Sequence, residues 1–206
     1  MSIAEKLKTV AENEQKVFDA GKRAEYDRFW NTLQNNGEPA NYYYKFSYNT
    51  NGFGWNDEIY NPKYPLLCAP TTTAGMALFY NNKVITDTKV PIIVQGSTVQ
   101  SIFANCDNLV TVRCLSVHEG VAFSTSFVNC SKLQNITFEG VIGNSIDFSY
   151  SPLLSVASMK SVISCLKDFS SSGGTHTVTF KKNLETMLTA EEKKVATDKG
   201  WTLVWS

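Results

Sequence analysis

The chain has 206 residues, 43% hydrophobic and 18% charged, which suits one sizeable core and shows no bias toward disorder. Lys plus Arg and Asp plus Glu both number 19, so the formal charge is zero and no basic surplus is available to neutralise phosphates, which argues against nucleic acid as a partner. Five cysteines without a C-x-x-C pair argue against a disulfide framework and for folding in a reducing cytoplasm.

The opening MSIAEKLKTVAENEQK has charges every few residues and lacks the apolar run of a secretory leader. No 18-residue apolar span follows, so neither a signal peptide nor membrane insertion is expected. Residues 2–34 read as a helix. Ile3, Leu7, Val10 and Val17 keep the alternating three and four spacing of a coiled-coil seam, and Tyr26, Phe29, Trp30 and Leu33 continue an apolar stripe. Glu14 and Gly21 interrupt the seam, and a stripe this narrow needs a partner to be stable. A homo-oligomer is expected, with a trimer favoured.

QNNGEPAN, residues 34–41, ends the helix with Asn, Gly and Pro. Residues 42–65 are crowded with Tyr, Asn and Gly. The rings of Tyr42, Tyr43, Tyr44 and Trp55 could stack on the apolar face of a sugar, although such clusters more often cap the open end of a core.

Next comes a repeat. Phe79-x-Asn81, Phe103-x-Asn105-Cys106, Phe127-x-Asn129-Cys130 and Phe148-x-Tyr150-Ser151 stand 24, 24 and 21 residues apart. Leu109, Leu133 and Leu154 each follow their Phe by six positions. A fixed period of this length is a solenoid signature, with a short strand in each unit stacking on the next. Phe, Leu and Val or Ile should face inward, and each Asn should hold its turn through side-chain hydrogen bonds. Such a stack needs a cap at both ends.

The remaining sequence fits the far cap. Residues 155–169 place Val156, Met159, Val162, Ile163 and Leu166 on one helical face, with Ser155 as the N-cap. SSSGGT is a turn and HTVTFKK a short strand. TAEEKKVATDKGW opens with a capping box, Thr189 and Glu192, and stops at Gly200 before the final strand WTLVW. The expected fold is therefore α+β: an N-terminal helix, a possible coiled coil, then a short leucine-rich-repeat β-solenoid closed by a C-terminal αβ cap. Its segments are an oligomerisation or docking helix over 1–37, an aromatic-rich β cap over 38–78, repeats over 79–154 and the αβ cap over 155–206.

The Phe-x-Asn-Cys-x-x-Leu units resemble the BspA-like leucine-rich repeats. The two ends, SIAEKL through GFGWNDEIYNPKY and SPLLSVASMKSVISCLKDF through GWTL, are similar to a group of short repeat proteins common in phages and prophages of gut Firmicutes. The resemblance covers nearly the whole chain, and it implies a place among tail and other virion proteins. It assigns no catalytic or binding residue.

No catalytic constellation emerges from the sequence. His118 and His176 lie far apart, and Cys114 with His118 is a lone pair where zinc needs about four ligands. Cys106 and Cys130 share a repeat position, so they should lie about 4.8 Å apart in stacked strands. That separation permits a disulfide, although small buried thiols filling a repeat corner are the commoner arrangement. Asp57 and Glu58 beside Trp55 and Tyr60 resemble an acid and base pair only loosely, since adjacent side chains point apart. The expectation is a protein that is not an enzyme and holds no metal or cofactor. Its expected role is structural, as a tail, baseplate or fibre-like virion protein made in the host cytoplasm. It would contact other virion proteins and attach to a host-surface glycan or protein by non-catalytic binding. The alternative is a bacterial surface or secreted leucine-rich-repeat adhesin.

Overall fold

The computed structural model describes residues 78–94, 96, 97, 99, 101–123 and 125–206, with 62, 64–68 and six positions nearer the N-terminus. Those six, Glu12, Asn13, Lys16, Ala20, Gly21 and Ala24, are helical and exposed, but the described residues do not form a continuous N-terminal helix. The expected seam residues Ile3, Leu7, Val10 and Val17, and the aromatic residues Tyr42, Tyr43, Tyr44 and Trp55, lie outside the described residues.

The strands form two parallel sheets instead of the single leucine-rich-repeat β-solenoid expected from the sequence. The first sheet has the order β1 (Leu66–Cys68), β2 (Ile92–Val94), β3 (Thr111–Val117) and β4 (Asn135–Gly140). The second contains β5 (Ile146–Phe148), β6 (His176–Phe180) and β7 (Trp201–Trp205). Helix α1 (Val156–Cys165) lies between β5 and β6, and a 3-10 helix (Lys182–Met187) and helix α2 (Ala190–Asp198) lie between β6 and β7.

The division into two sheets follows from what closes the outer edge of β4. On one side β4 pairs with β3, but on its other side the next element is α1, whose side chains take the place of a fifth strand. The Ser158 hydroxyl accepts the Ile136 N–H at 2.9 Å and lies 3.1 Å from the Gln134 carbonyl, to which it donates. Ser161 accepts the Phe138 N–H at 2.8 Å, and the Cys165 thiol donates to the Phe138 carbonyl at 3.4 Å. Three residues on one side of a helix thus close a sheet edge that would otherwise offer unpaired donors and acceptors.

Register also departs from a strict repeat. Thr111 and Val112 face Asn135 and Ile136, but Leu115 faces Phe138, so Arg113 and Cys114 together oppose Thr137. This bulge puts Cys114 and Leu115 inside consecutively, where simple alternation along Val110-x-Val112-x-Cys114 would have buried only one of them. β4 ends at Gly140, whose φ is +88°, and a Cβ there would overlap the Val117 carbonyl oxygen. Only glycine fits both constraints.

One buried cluster runs through both sheets. Its axis is a column of rings. Centroids of Phe79 and Phe103 are 5.6 Å apart, of Phe103 and Phe127 5.8 Å, and of Phe127 and Phe148 4.5 Å. The column crosses into the second sheet through Phe180, 5.9 Å from Phe148, and ends at Trp205, 5.6 Å further on. Stacked and tilted ring pairs at these separations add to the burial of the rings themselves. Leu109, Leu133 and Leu154 are fully buried beside it.

Local sequence accounts for the C-terminal elements. Ser155 caps α1, accepting from the Ser158 N–H, and Lys199 Nζ lies 2.8 Å from the Ser164 carbonyl near the end of that helix. Thr189 and Glu192 form both bonds of the capping box that opens α2. Gly200, at φ +81°, turns the chain into β7.

Candidate functional site

The repeat turns carry polar side chains that bond from one repeat to the next. Asn81, Asn105 and Asn129 occupy the left-handed region with φ of 55°, 61° and 58°, which asparagine tolerates better than most residues. Their backbones continue the stacking: Asn81 N–H donates to the Ala104 carbonyl and Asn105 N–H to the Val128 carbonyl, both at 2.8 Å. The expected side-chain clamp on the turn takes a different form, because Asn129 Nδ2 donates to Asn105 Oδ1 at 2.7 Å in the preceding repeat. Backbone conformation holds the turns, and the Asn105 and Asn129 amides bridge two successive turns.

Two more ladder steps flank that one. Ser101 and Thr125, both left-handed, place their hydroxyls 2.8 Å apart. Lys132 Nζ donates to Asn108 Oδ1 at 2.7 Å, and Asn108 Nδ2 donates to the Lys83 carbonyl at 2.6 Å. Lys83 in turn reaches the Asn105 carbonyl and the Asp107 carboxylate. The result is a strip of hydroxyls, amides and ammonium groups in which each group is held by its counterpart one repeat away. An amide has two donors and two lone pairs, so a single ladder bond leaves capacity for an incoming polar ligand.

The cysteines face inward. Cys106 Sγ donates to the Phe79 carbonyl at 3.0 Å and Cys130 Sγ to the Phe103 carbonyl at 3.1 Å, so the thiols serve as donors to the preceding repeat as well as fillers. Both are free thiols. Burial pushes Cys106 up to about 12 and Cys130 well above the ordinary thiol range, so neither supplies a thiolate nucleophile near neutral pH. The equivalent position in the first repeat, Asn82, instead accepts the Val84 and Ile85 N–H groups, and in the last, Ser151 donates to the Cys130 carbonyl.

The histidines do not meet. His118 Nε2 lies 3.2 Å from the Gly96 carbonyl while its Nδ1 faces the Gly120 N–H, and His176 stacks on Phe169 with centroids 3.7 Å apart. Among the described residues no three His, Cys, Asp or Glu side chains gather as a metal site, and no helix is long and apolar enough to cross a membrane.

Phe79, Phe103, Phe127 and Phe148 share the ring column, Asn105 and Asn129 the polar strip, and Cys106 and Cys130 the layer between them. Sequence reasoning overlooked Ser101, Asn108, Thr125 and Lys132, although Ser101 with Thr125 and Asn108 with Lys132 recur at the same 24-residue interval. It also overlooked Ser158, Ser161, Phe180 and Trp205. No family profile, curated protein or solved structure matches this chain.

Proposed function

We propose that this chain is a non-enzymatic attachment protein of a phage or prophage particle. It is presented there as a homo-oligomer, trimeric in the favoured arrangement, with other virion proteins as neighbours and a host-surface glycan or protein as target. Support for attachment comes from the polar strip: hydroxyls, amides and ammonium groups are held at repeat spacing by one another, on a backbone fixed by left-handed turns. Such an array gains little by closing around a small substrate and suits many weak polar contacts to an extended surface. Presentation in several copies would convert those contacts into firm adhesion. The placement on a virion rests on the similarity of the two chain ends to short phage and prophage repeat proteins.

Mass spectrometry of purified particles from the strain carrying this gene tests the placement, with stoichiometric peptides of the chain expected. The attachment role is tested by adsorption of particles carrying N129A together with K132A, which should fall at least tenfold while the particles still assemble. Finding the chain on producing cells and not in particles would overturn the reading in favour of a surface adhesin.

A further inference from the structure

The polar strip changes character at its last level. Tyr150 and Leu153 hold the same places after Phe148 that Asn129 and Lys132 hold after Phe127, and Asn105 and Asn108 after Phe103. The last repeat lies directly on the one before it: the Phe127 and Phe148 centroids are 4.5 Å apart, and Ser151 Oγ donates to the Cys130 carbonyl at 3.2 Å. Two columns, Asn105 to Asn129 to Tyr150 and Asn108 to Lys132 to Leu153, therefore turn apolar at the same level. Leu153 at 52% and Tyr150 at 48% are also the most exposed large apolar side chains among the described residues.

That exposure is held in place. Tyr150 does not share the left-handed backbone of Asn81, Asn105 and Asn129, so a bulky side chain fits there without strain. Three bonds fix the turn: Ser149 N–H donates to Asp147 Oδ1 at 2.7 Å, Ser151 Oγ to the Cys130 carbonyl, and Asn183 Nδ2 to the Pro152 carbonyl at 2.9 Å. A turn fixed in advance loses little freedom when a ligand settles on it. The groups one level back keep bonding capacity. Among the described residues Asn129 Oδ1 accepts no hydrogen bond, and Lys132 Nζ is held by Asn108 Oδ1 alone, with no carboxylate. Charges of both signs stand near this end of the strip, Lys132, Asp147 and the Lys182 ammonium paired with Glu185, and neither sign dominates.

The geometry points to a sugar subsite at this step from polar to apolar. The C–H face of a neutral pyranose lies on the Tyr150 ring and against Leu153, while its hydroxyls bond Asn129 Oδ1 and the Lys132 ammonium. A pyranose has the matching division, apolar on its face and polar around its rim, and its breadth is close to one level of the stack, about 4.8 Å. A stable protein interface covers about 800 Å² on each partner around an apolar centre, whereas here two apolar side chains give way to an amide and an ammonium within one level. The subsite rests on the attachment role proposed above and assigns the target of that role to a glycan.

The test measures binding of the full chain to polysaccharide freed of protein from host-strain cells, and to the intact cells, for wild type, Y150A, Y150F and N129A with K132A. Y150A should bind the polysaccharide about fivefold more weakly or worse. Y150F should stay within about twofold, because the ring carries the contact and the Tyr150 hydroxyl has no bond among the described residues. Both should melt with the wild type, since Tyr150 is half-exposed. Periodate, which cleaves the vicinal diols of sugars, should abolish the binding. If Y150A does not fold, L153S probes the same level and should lose affinity in the same direction. Unchanged binding by folded Y150A, or a wild type that binds cells but not the polysaccharide, would overturn the subsite. The attachment strip survives that result if N129A with K132A still fails to bind cells. Cell binding that resists periodate and is lost after protease treatment of the cells would replace the glycan with a protein. Absence of cell binding by the wild type would remove the attachment role and the subsite together.

Discussion

Replacing Ser158 with Ala should unfasten β4 from α1 at its best-buried point. Ser158 is 3% exposed, and its hydroxyl accepts the Ile136 N–H. The Ala variant leaves that buried N–H without a protein acceptor, at a cost of about 1–3 kcal/mol. The Gln134 carbonyl keeps a partner in the Ser155 N–H at 2.8 Å, so only the one donor is orphaned. Ala is the better helix former by about 0.5 kcal/mol, which offsets part of the loss and leaves a net of about 0.5–2.5 kcal/mol. For a chain of this size that lowers Tm by about 1–10 °C. Ser161→Ala should cost less, about 0.5–1 kcal/mol, because the Phe138 N–H is only partly buried and water can replace the hydroxyl. Ser164 is the control, since its exposed hydroxyl bonds back to the Ser161 carbonyl within the helix and touches no strand. Ser164→Ala should stay within about 0.5 kcal/mol of wild type or gain slightly. Urea unfolding followed by circular dichroism gives the three midpoints, and hydrogen exchange at Ile136 supplies the local readout. If Ser158→Ala matches Ser164→Ala in midpoint and leaves Ile136 protected, the hydroxyls are not what closes the edge.

Phe127 sits mid-column between Phe103 and Phe148, so Phe127→Ala should cost about 3–5 kcal/mol by transfer and cavity terms together, read from denaturant midpoints. Iodoacetamide at pH 8 should label the half-exposed Cys165 in the folded protein. Cys68 and Cys106, raised to about 12 by burial, and Cys114, raised to about 11 by burial with a further push from Glu139, should label only after unfolding, as peptide mapping would reveal. The Lys160 ammonium, with the Thr189 N–H, holds the Glu192 carboxyl below its ordinary 4.5. A lowered carboxyl stabilises the fold above that ordinary value and loses the contribution as pH falls through the folded-state value. Melting curves of wild type and Glu192→Gln should therefore converge on acidification below about pH 4, and a gap that widened there would contradict the assignment.

Much of the C-terminal region was legible because its signals are local. Ser155 and the Thr189/Glu192 capping box start helices through bonds spanning three residues, and Gly200 ends one through its own φ. Glycine-rich residues 170–174 precede β6 for the same kind of reason. The 24-residue recurrence was readable as well, since parallel stacking sets equivalent side chains against one another and rewards the same residue at each level. Nothing local announced that the stack of strands would stop at β4. That outcome depends on α1 returning so that Ser158 and Ser161 meet the strand N–H groups, an encounter across more than 20 residues of chain. The same holds for Phe180, 32 residues after Phe148 and outside any repeat interval, and for the bulge that buries Cys114 and Leu115 together. Sequence alone determined the short-range hydrogen bonds and the identity of the repeated residues, because both are functions of spacing along the chain. Tertiary structure decided which edges are closed, where the ring column ends and which polar groups line up on the surface, because each of those depends on a partner that spacing does not name.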